Sequence, residues 1–246
     1  MSRLFLLAYT SSGLAGLIYQ VCWTRLLTLY IGHTTAAASA VVAAFLGGLA
    51  VGAAAGGTFA MRLSPRRSLQ TYAALEVAVA AIALIVPIAL GALTPVLQWA
   101  YAESSPGALF PAVRLASCLL LVFIPAAALG ATFPMAIRWL ARGSDHQAQV
   151  GGLLYALNTT GAAVGALAAG FVLIPRVGLS GTTRVAMAAS VLAAVCAWVV
   201  SRQGRDQGSG NRDQPPKNKD PRGWRCWCLG SQVSPHSCTR SRGRAF

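Results

Sequence analysis

Apolar positions along this chain gather into six blocks separated by short polar or arginine-bearing stretches. The blocks run from about Leu4 to Trp23, Ala36 to Met61, Leu69 to Leu93, Ala112 to Ile137, Gly151 to Gly181 and Thr183 to Val200. An α-helix rises ~1.5 Å per residue, so ~20 apolar residues cross a bilayer, and each block is near or above that length. The pattern predicts an all-α fold: a polytopic membrane protein with a six-helix transmembrane bundle over residues 1–200. A basic tail over residues 201–246 has no periodic apolar face and is expected to be disordered, because it cannot bury enough surface to offset its ordering entropy.

Small residues inside the blocks sharpen this picture. Gly161, Gly165 and Ala169 fall four apart in the fifth block, and so share one side of a helix. Gly48, Gly52 and Gly56 do the same in the second block, with Gly47 and Gly57 expected to widen the ladder. In lipid, such small-residue faces let two backbones approach closely. No strand precedes the second-block glycines and no acid follows at dinucleotide spacing, so a cofactor-binding reading is not supported. Pro87 in the third block can bend its helix, and Pro125, Gly130 and Pro134 predict a kinked or interrupted fourth helix.

Composition agrees with a membrane setting. The chain is 55% hydrophobic and 11% charged, against about 25% charged in ordinary soluble domains. The net charge is +14, and the tail holds half of it, with ten Lys or Arg against three Asp. Charge flanking apolar spans suits anionic lipid head groups, and nucleic acid is not expected as a partner. Cys22, Cys118 and Cys196 lie in apolar blocks, where a thiol is usually a small buried hydrophobe. Arg62, Arg66 and Arg67 would share a side with Arg138, Arg142 and the tail, whereas the connection around Glu103 lacks Lys and Arg. The positive-inside bias then puts both termini in the cytoplasm of a plasma or inner membrane protein. The first block exceeds a signal-peptide core and is expected to be retained. The Asn158-Thr159-Thr160 sequon should stay unmodified within a span.

Few residues offer chemistry. Glu76 is an acid inside an apolar block, and ionisable residues in spans usually face a cavity or pair internally. One reading makes it a proton or cation site with Tyr19, Tyr72 or Tyr155 alongside. The other makes it a structural ion pair with Arg25 or Arg114, or a protonated Glu near the interface. Gln20 and Asn158 either line the same polar pocket or form interhelical hydrogen bonds. Cys226, Cys228, His236 and Cys238 form a Cys3His set in the tail, but their spacing departs from that of zinc sites, so no metal is expected. No cofactor is expected either.

Several phrases together resemble the membrane half of fused major-facilitator/spermidine-synthase proteins. They are SGLAGLIYQVCWTRLL (Ser12 to Leu27), AAFLGGLAVGAAAGG (Ala43 to Gly57), ALEVAVA (Ala74 to Ala80), GATFPMAIR (Gly130 to Arg138) and YALNTTGAAVGALAAGFVLIPRVGLSGT (Tyr155 to Thr182). The segment Gly56 to Arg67 also resembles the loop between the second and third helices of major-facilitator transporters, without its acidic residue. The resemblance implies a six-helix, major-facilitator-half-like bundle and a transporter-like role toward a small cationic solute such as a polyamine. It also leaves open a non-transporting anchor or regulatory module of a truncated aminopropyltransferase fusion. In that family a soluble synthase domain follows the membrane part. Nothing after Val200 matches its glycine-rich acidic loop, and residues 201–246 are too few for such a domain, so no enzymatic activity is expected of this chain. The tail is consistent with an unrelated reading frame. Implied partners are the bilayer, a second copy or another membrane half, and a separately encoded synthase domain.

Overall fold

The structure, a computed structural model, describes the backbone of residues 3–31, 35–103, 109–141 and 144–203. Nearly all of it is helical. The helices are α1 (Arg3–Ile31), α2 (Thr35–Met61), α3 (Pro65–Glu103), α4 (Leu109–Leu140), α5 (Ser144–Ala168) and α6 (Ile174–Gln203), with a π-helical turn, Ala169–Leu173, joining the last two. The chain divides into two units, Met1–Ser209 and Gly210–Phe246. The second unit lies outside the described residues. So do the tail expected to be disordered and its Cys226, Cys228, His236 and Cys238.

Local sequence explains where the helices start and how far they run. The Ser64 hydroxyl accepts the Arg67 N–H at 3.4 Å, and Pro65 occupies the first turn of α3, where its missing N–H costs nothing. The first helix continues past Trp23 to Ile31 because exposed Arg25 interrupts nothing in TRLLTLYI. Of the kinked or interrupted fourth helix expected, the interruption does not occur: α4 runs through both Pro125 and Pro134. Each proline removes a single backbone bond, and α2 packed along this stretch supports the helix on both sides of Gly130.

The fifth block, by contrast, is not one uninterrupted helix. It contains the π turn and then Gly178, whose φ of 69° and ψ of −178° leave the helical path. That backbone conformation is open to glycine and strained for other residues.

Five helical segments are long and apolar enough to cross a membrane: Arg3–Tyr30, Thr35–Met61, Pro65–Leu93, Leu119–Leu140 and Ala148–Arg202, the last of 55 residues. Their outward faces are apolar, with Leu7 70% exposed, Ile88 69% and Phe171 79%. Such a surface belongs in lipid rather than water, and the chain is a multi-pass membrane protein.

Two apolar cores fill the bundle. One gathers Phe5, Tyr9, Ala60, Leu69, Tyr72, Met135, Leu154, Ala194 and Val200. The other gathers Ile18, Trp23, Val41, Phe45, Val86, Val122, Ala169 and Ala186. Residue numbers rise from the first core to the second in α1, α3 and α5, and fall in α2, α4 and α6. Neighbours in sequence are therefore antiparallel, and the chain reverses between Ala169 and Ala186, around Gly178.

Packing follows the glycines. The most extensive contacts join α2 to α4 and α1 to α5, followed by α3 to α4, α1 to α6 and α3 to α6. Exchanging α1–α3 for α4–α6 maps this pattern onto itself. A methyl added at Gly48 would lie 2.6 Å from the Phe123 carbonyl oxygen, and one at Gly56 would lie 2.9 Å from Ala131 Cα. A methyl at Gly52 would overlap the Ala127 carbonyl, and Gly130 reciprocates against Leu49. In the other pair, Gly161 and Gly165 meet the Thr10 and Leu14 carbonyls, and Gly13 meets that of Asn158. Gly57 does not widen the ladder as expected, because nothing lies within 4 Å of its position. Ala169 is fully buried in the core, as its place in the sequence ladder predicts.

Candidate functional site

Between the two apolar cores lies a thin polar layer. It takes Ser12 from α1, Glu76 from α3 and Ser190 from α6, all 3% exposed or less. In each helix these positions fall between residues of one core and residues of the other. Glu76 is about 16 Å along α3 from Pro65, at ~1.5 Å per residue, so the layer sits well inside the hydrophobic thickness.

The Ser12 hydroxyl donates a hydrogen bond to Glu76 Oε1. Tyr72, one turn before Glu76 on α3, and Ser190 border the same carboxyl, and Tyr19 borders Ser190. Glu76 Oε2, the Tyr72 and Tyr19 hydroxyls and Ser190 Oγ are buried close enough to interact with one another, yet none makes a hydrogen bond of good geometry. Buried polar atoms in proteins are overwhelmingly paired, and in hydrocarbon there is no alternative donor or acceptor. Four loosely paired polar groups around one carboxyl make this the polar centre of an otherwise apolar bundle.

Aromatic rings surround this layer. Phe5, Tyr9 and Tyr72 form a cluster, with the Tyr9 and Tyr72 centroids 6.0 Å apart and the Phe5 and Tyr72 centroids 5.8 Å apart. Tyr19 stacks on Trp23 at 5.1 Å. Among the described residues no Arg or Lys pairs with Glu76, so the ion pair with Arg25 is not formed; Arg25 is exposed. The side chain of Arg114 lies outside the described residues. A carboxylate, several hydroxyls and ring faces together suit a cation, through oxygen ligation or attraction to aromatic quadrupoles.

A cavity of about 280 Å³ adjoins the layer, between α1, α2, α4 and α5. Its wall includes Tyr9, Ser12, Tyr155 and Asn158. Ser12 thus belongs to both places: it lines the cavity and it holds the Glu76 carboxyl. Tyr155 is 66% exposed, at the cavity's edge, and Asn158 is half-buried. Of the residues singled out from sequence, Glu76, Tyr19 and Tyr72 reach the polar layer, while Asn158 and Tyr155 reach the cavity beside it. Gln20 is half-buried and lines neither this cavity nor the second one described below.

Sequence reasoning missed Ser12, Tyr9 and Ser190. The available signal was the spacing of Phe5, Tyr9, Ser12 and Tyr19 along one helical face, which repeats the aromatic and polar pairing of Tyr72 and Glu76. Comparison with family models, curated proteins and solved structures returned no match to this chain.

Proposed function

We propose that this chain is a six-span membrane module of major-facilitator-half-like fold that holds a small cationic solute, a polyamine or a similar amine, at Glu76. The observation that carries this reading is the fully buried Glu76 carboxyl, loosely paired among hydroxyls, with no Arg or Lys beside it among the described residues. The cavity lined by Ser12 and Asn158 reaches the serine that holds that carboxyl, although Glu76 itself does not line it.

Three features support six crossings. The segment Ala148–Arg202 has 55 residues, or roughly 80 Å of helix, against ~30 Å of hydrocarbon. It is broken at Gly178. Its two halves also run in opposite directions relative to α1. The packing pattern that survives exchange of α1–α3 for α4–α6 is what an inverted repeat of three helices produces, and such repeats build transporter halves around a midplane site.

On this reading a second copy or another membrane half completes the transport path. Exposed Arg62, Arg66, Arg67 and Arg138 lie at the end of the bundle shared with Arg3 and Arg202, which supports cytoplasmic termini in a plasma or inner membrane. The five sequence phrases that resemble the membrane half of fused spermidine-synthase proteins support this reading.

The alternative is a non-transporting anchor or regulatory module of such a fusion. The close glycine contacts, which would hold the bundle in one conformation, favour it. Uptake of labelled spermidine into proteoliposomes containing the purified chain separates the two. Saturable uptake that is lost in Glu76→Gln supports the cation-site reading. Flux equal to that of protein-free vesicles favours the anchor.

A further inference from the structure

A second cavity, about 340 Å³, lies between α1, α3 and α6, away from the one lined by Ser12 and Asn158. Small-molecule sites begin at about this size. Three features of its wall point to one ligand chemistry. Arg184 is the charged residue in it, and no acid lines it. Trp23 also lines it, is 2% exposed, and has an indole N–H with no acceptor. Leu179 and Ser180 line it as well, and they open the turn where α6 resumes after Gly178. A helix start carries partial positive charge and favours anions. The opposite wall is apolar, with Leu84 60% and Ile88 69% exposed on the lipid-facing side of α3.

We infer that this cavity binds the phosphate headgroup of an anionic membrane lipid, whose acyl chain lies along Leu84, Ile88 and Met187. Arg184 and the Trp23 N–H supply donors to the phosphate oxygens, and charge-assisted contacts of that kind are the strong ones. The apolar side of the cavity favours a lipid over free phosphate, because a small hydrophilic anion would leave Leu84 and Ile88 unused. In the proposed topology the site lies in the leaflet opposite the arginine-rich linkers. It is separate from Glu76, and its test involves no solute flux, so it stands or falls independently of the transport reading.

The test uses the purified, delipidated full-length chain in a neutral detergent. Phosphatidylglycerol or phosphatidylcholine is added in mixed micelles, with thermal midpoint and native mass spectrometry as readouts. Phosphatidylglycerol should raise the midpoint by several degrees more than phosphatidylcholine, and bound lipid should survive in the spectrum. Arg184→Gln should remove the difference. Trp23→Phe, which removes the indole N–H together with the pyrrole part of a buried ring, should weaken the apparent affinity about tenfold or more. Arg176→Gln, an exposed arginine of the same helix outside the cavity, should leave the difference intact. Equal stabilisation by both lipids would overturn the inference. So would equal losses in Arg184→Gln and Arg176→Gln, and a full shift from glycerol 3-phosphate alone would replace the lipid with a soluble anion.

Discussion

The interface between α2 and α4 and the one joining α1, α3 and α6 are both buried in the same bundle, yet they are held by opposite means. Between α2 and α4, glycines at 48, 52, 56 and 130 bring carbonyls and Cα atoms of the partner into the space a side chain would fill. Dispersion contacts at that range are numerous, and a packed interface of this kind has few alternative arrangements. Between α1, α3 and α6 the contacts are made by side chains: Ser12 on Glu76, Ser11 on the Ala189 backbone carbonyl at 3.2 Å, and the Phe5, Tyr9 and Tyr72 rings. Polar atoms are left over there, and both cavities border this side through α1. The first interface determines shape. The second leaves chemistry available inside that shape.

The contrast can be broken most forcefully at Gly52. Gly52→Leu drives a side chain into the Ala127 carbonyl, and since overpacking alone costs ~1–3 kcal/mol and backbone here cannot yield, about 3 kcal/mol or more of stability should be lost. The readout is a lower thermal midpoint and loss of the monodisperse peak in detergent chromatography. Next in size is Glu76→Gln. The amide is nearly isosteric and keeps the fold, so the midpoint should stay within a few degrees, while affinity for a bound amine falls about tenfold or more. Equilibrium binding of labelled spermidine in detergent measures it, and unchanged binding would remove Glu76 from the site.

Ser12→Ala probes the same interface more gently. It deletes the donor to Glu76 Oε1 and leaves a buried carboxyl less satisfied, a change of about 1–3 kcal/mol. Denaturation in mixed micelles should show it, and Ser12→Thr should restore most of it. The smallest effect is expected at Gly57, where nothing lies within 4 Å. Gly57→Ala should be neutral or stabilising by up to ~1 kcal/mol, since alanine is the better helix former. A large loss at Gly57 would show that helix geometry, rather than interhelical space, is what the glycine ladder protects.

Much of the scaffold was legible beforehand. The apolar blocks marked the helices because hydrophobic length is a local property, and the four-residue spacing of Gly48, Gly52 and Gly56 marked a packing face because one helix repeats on itself. Gly57 was misjudged, since spacing tells which residues share a side but not where the neighbour's backbone passes. Pro125 and Pro134 left open a kink or an interruption, and the helix is continuous, because the effect of a proline depends on what supports the helix around it. Glu76 stood out as an acid among apolar residues. Ser12 and Ser190 did not, because serine in an apolar block is common and its role depends on what faces it.

The amino-acid order by itself determined that this chain belongs in lipid, which segments are long enough to cross it, and which sides of α2 and α5 are bare enough for close contact. Those properties follow from hydrophobicity and helical repeat, which need no knowledge of neighbours. Only the tertiary structure decided that α2 pairs with α4 and α1 with α5, that the chain turns back near Gly178, and that Ser12, Glu76 and Ser190 meet in one layer. The last two depend on backbone torsion at one glycine and on side chains from three different helices. Packing brings those groups together, and no local pattern encodes their meeting.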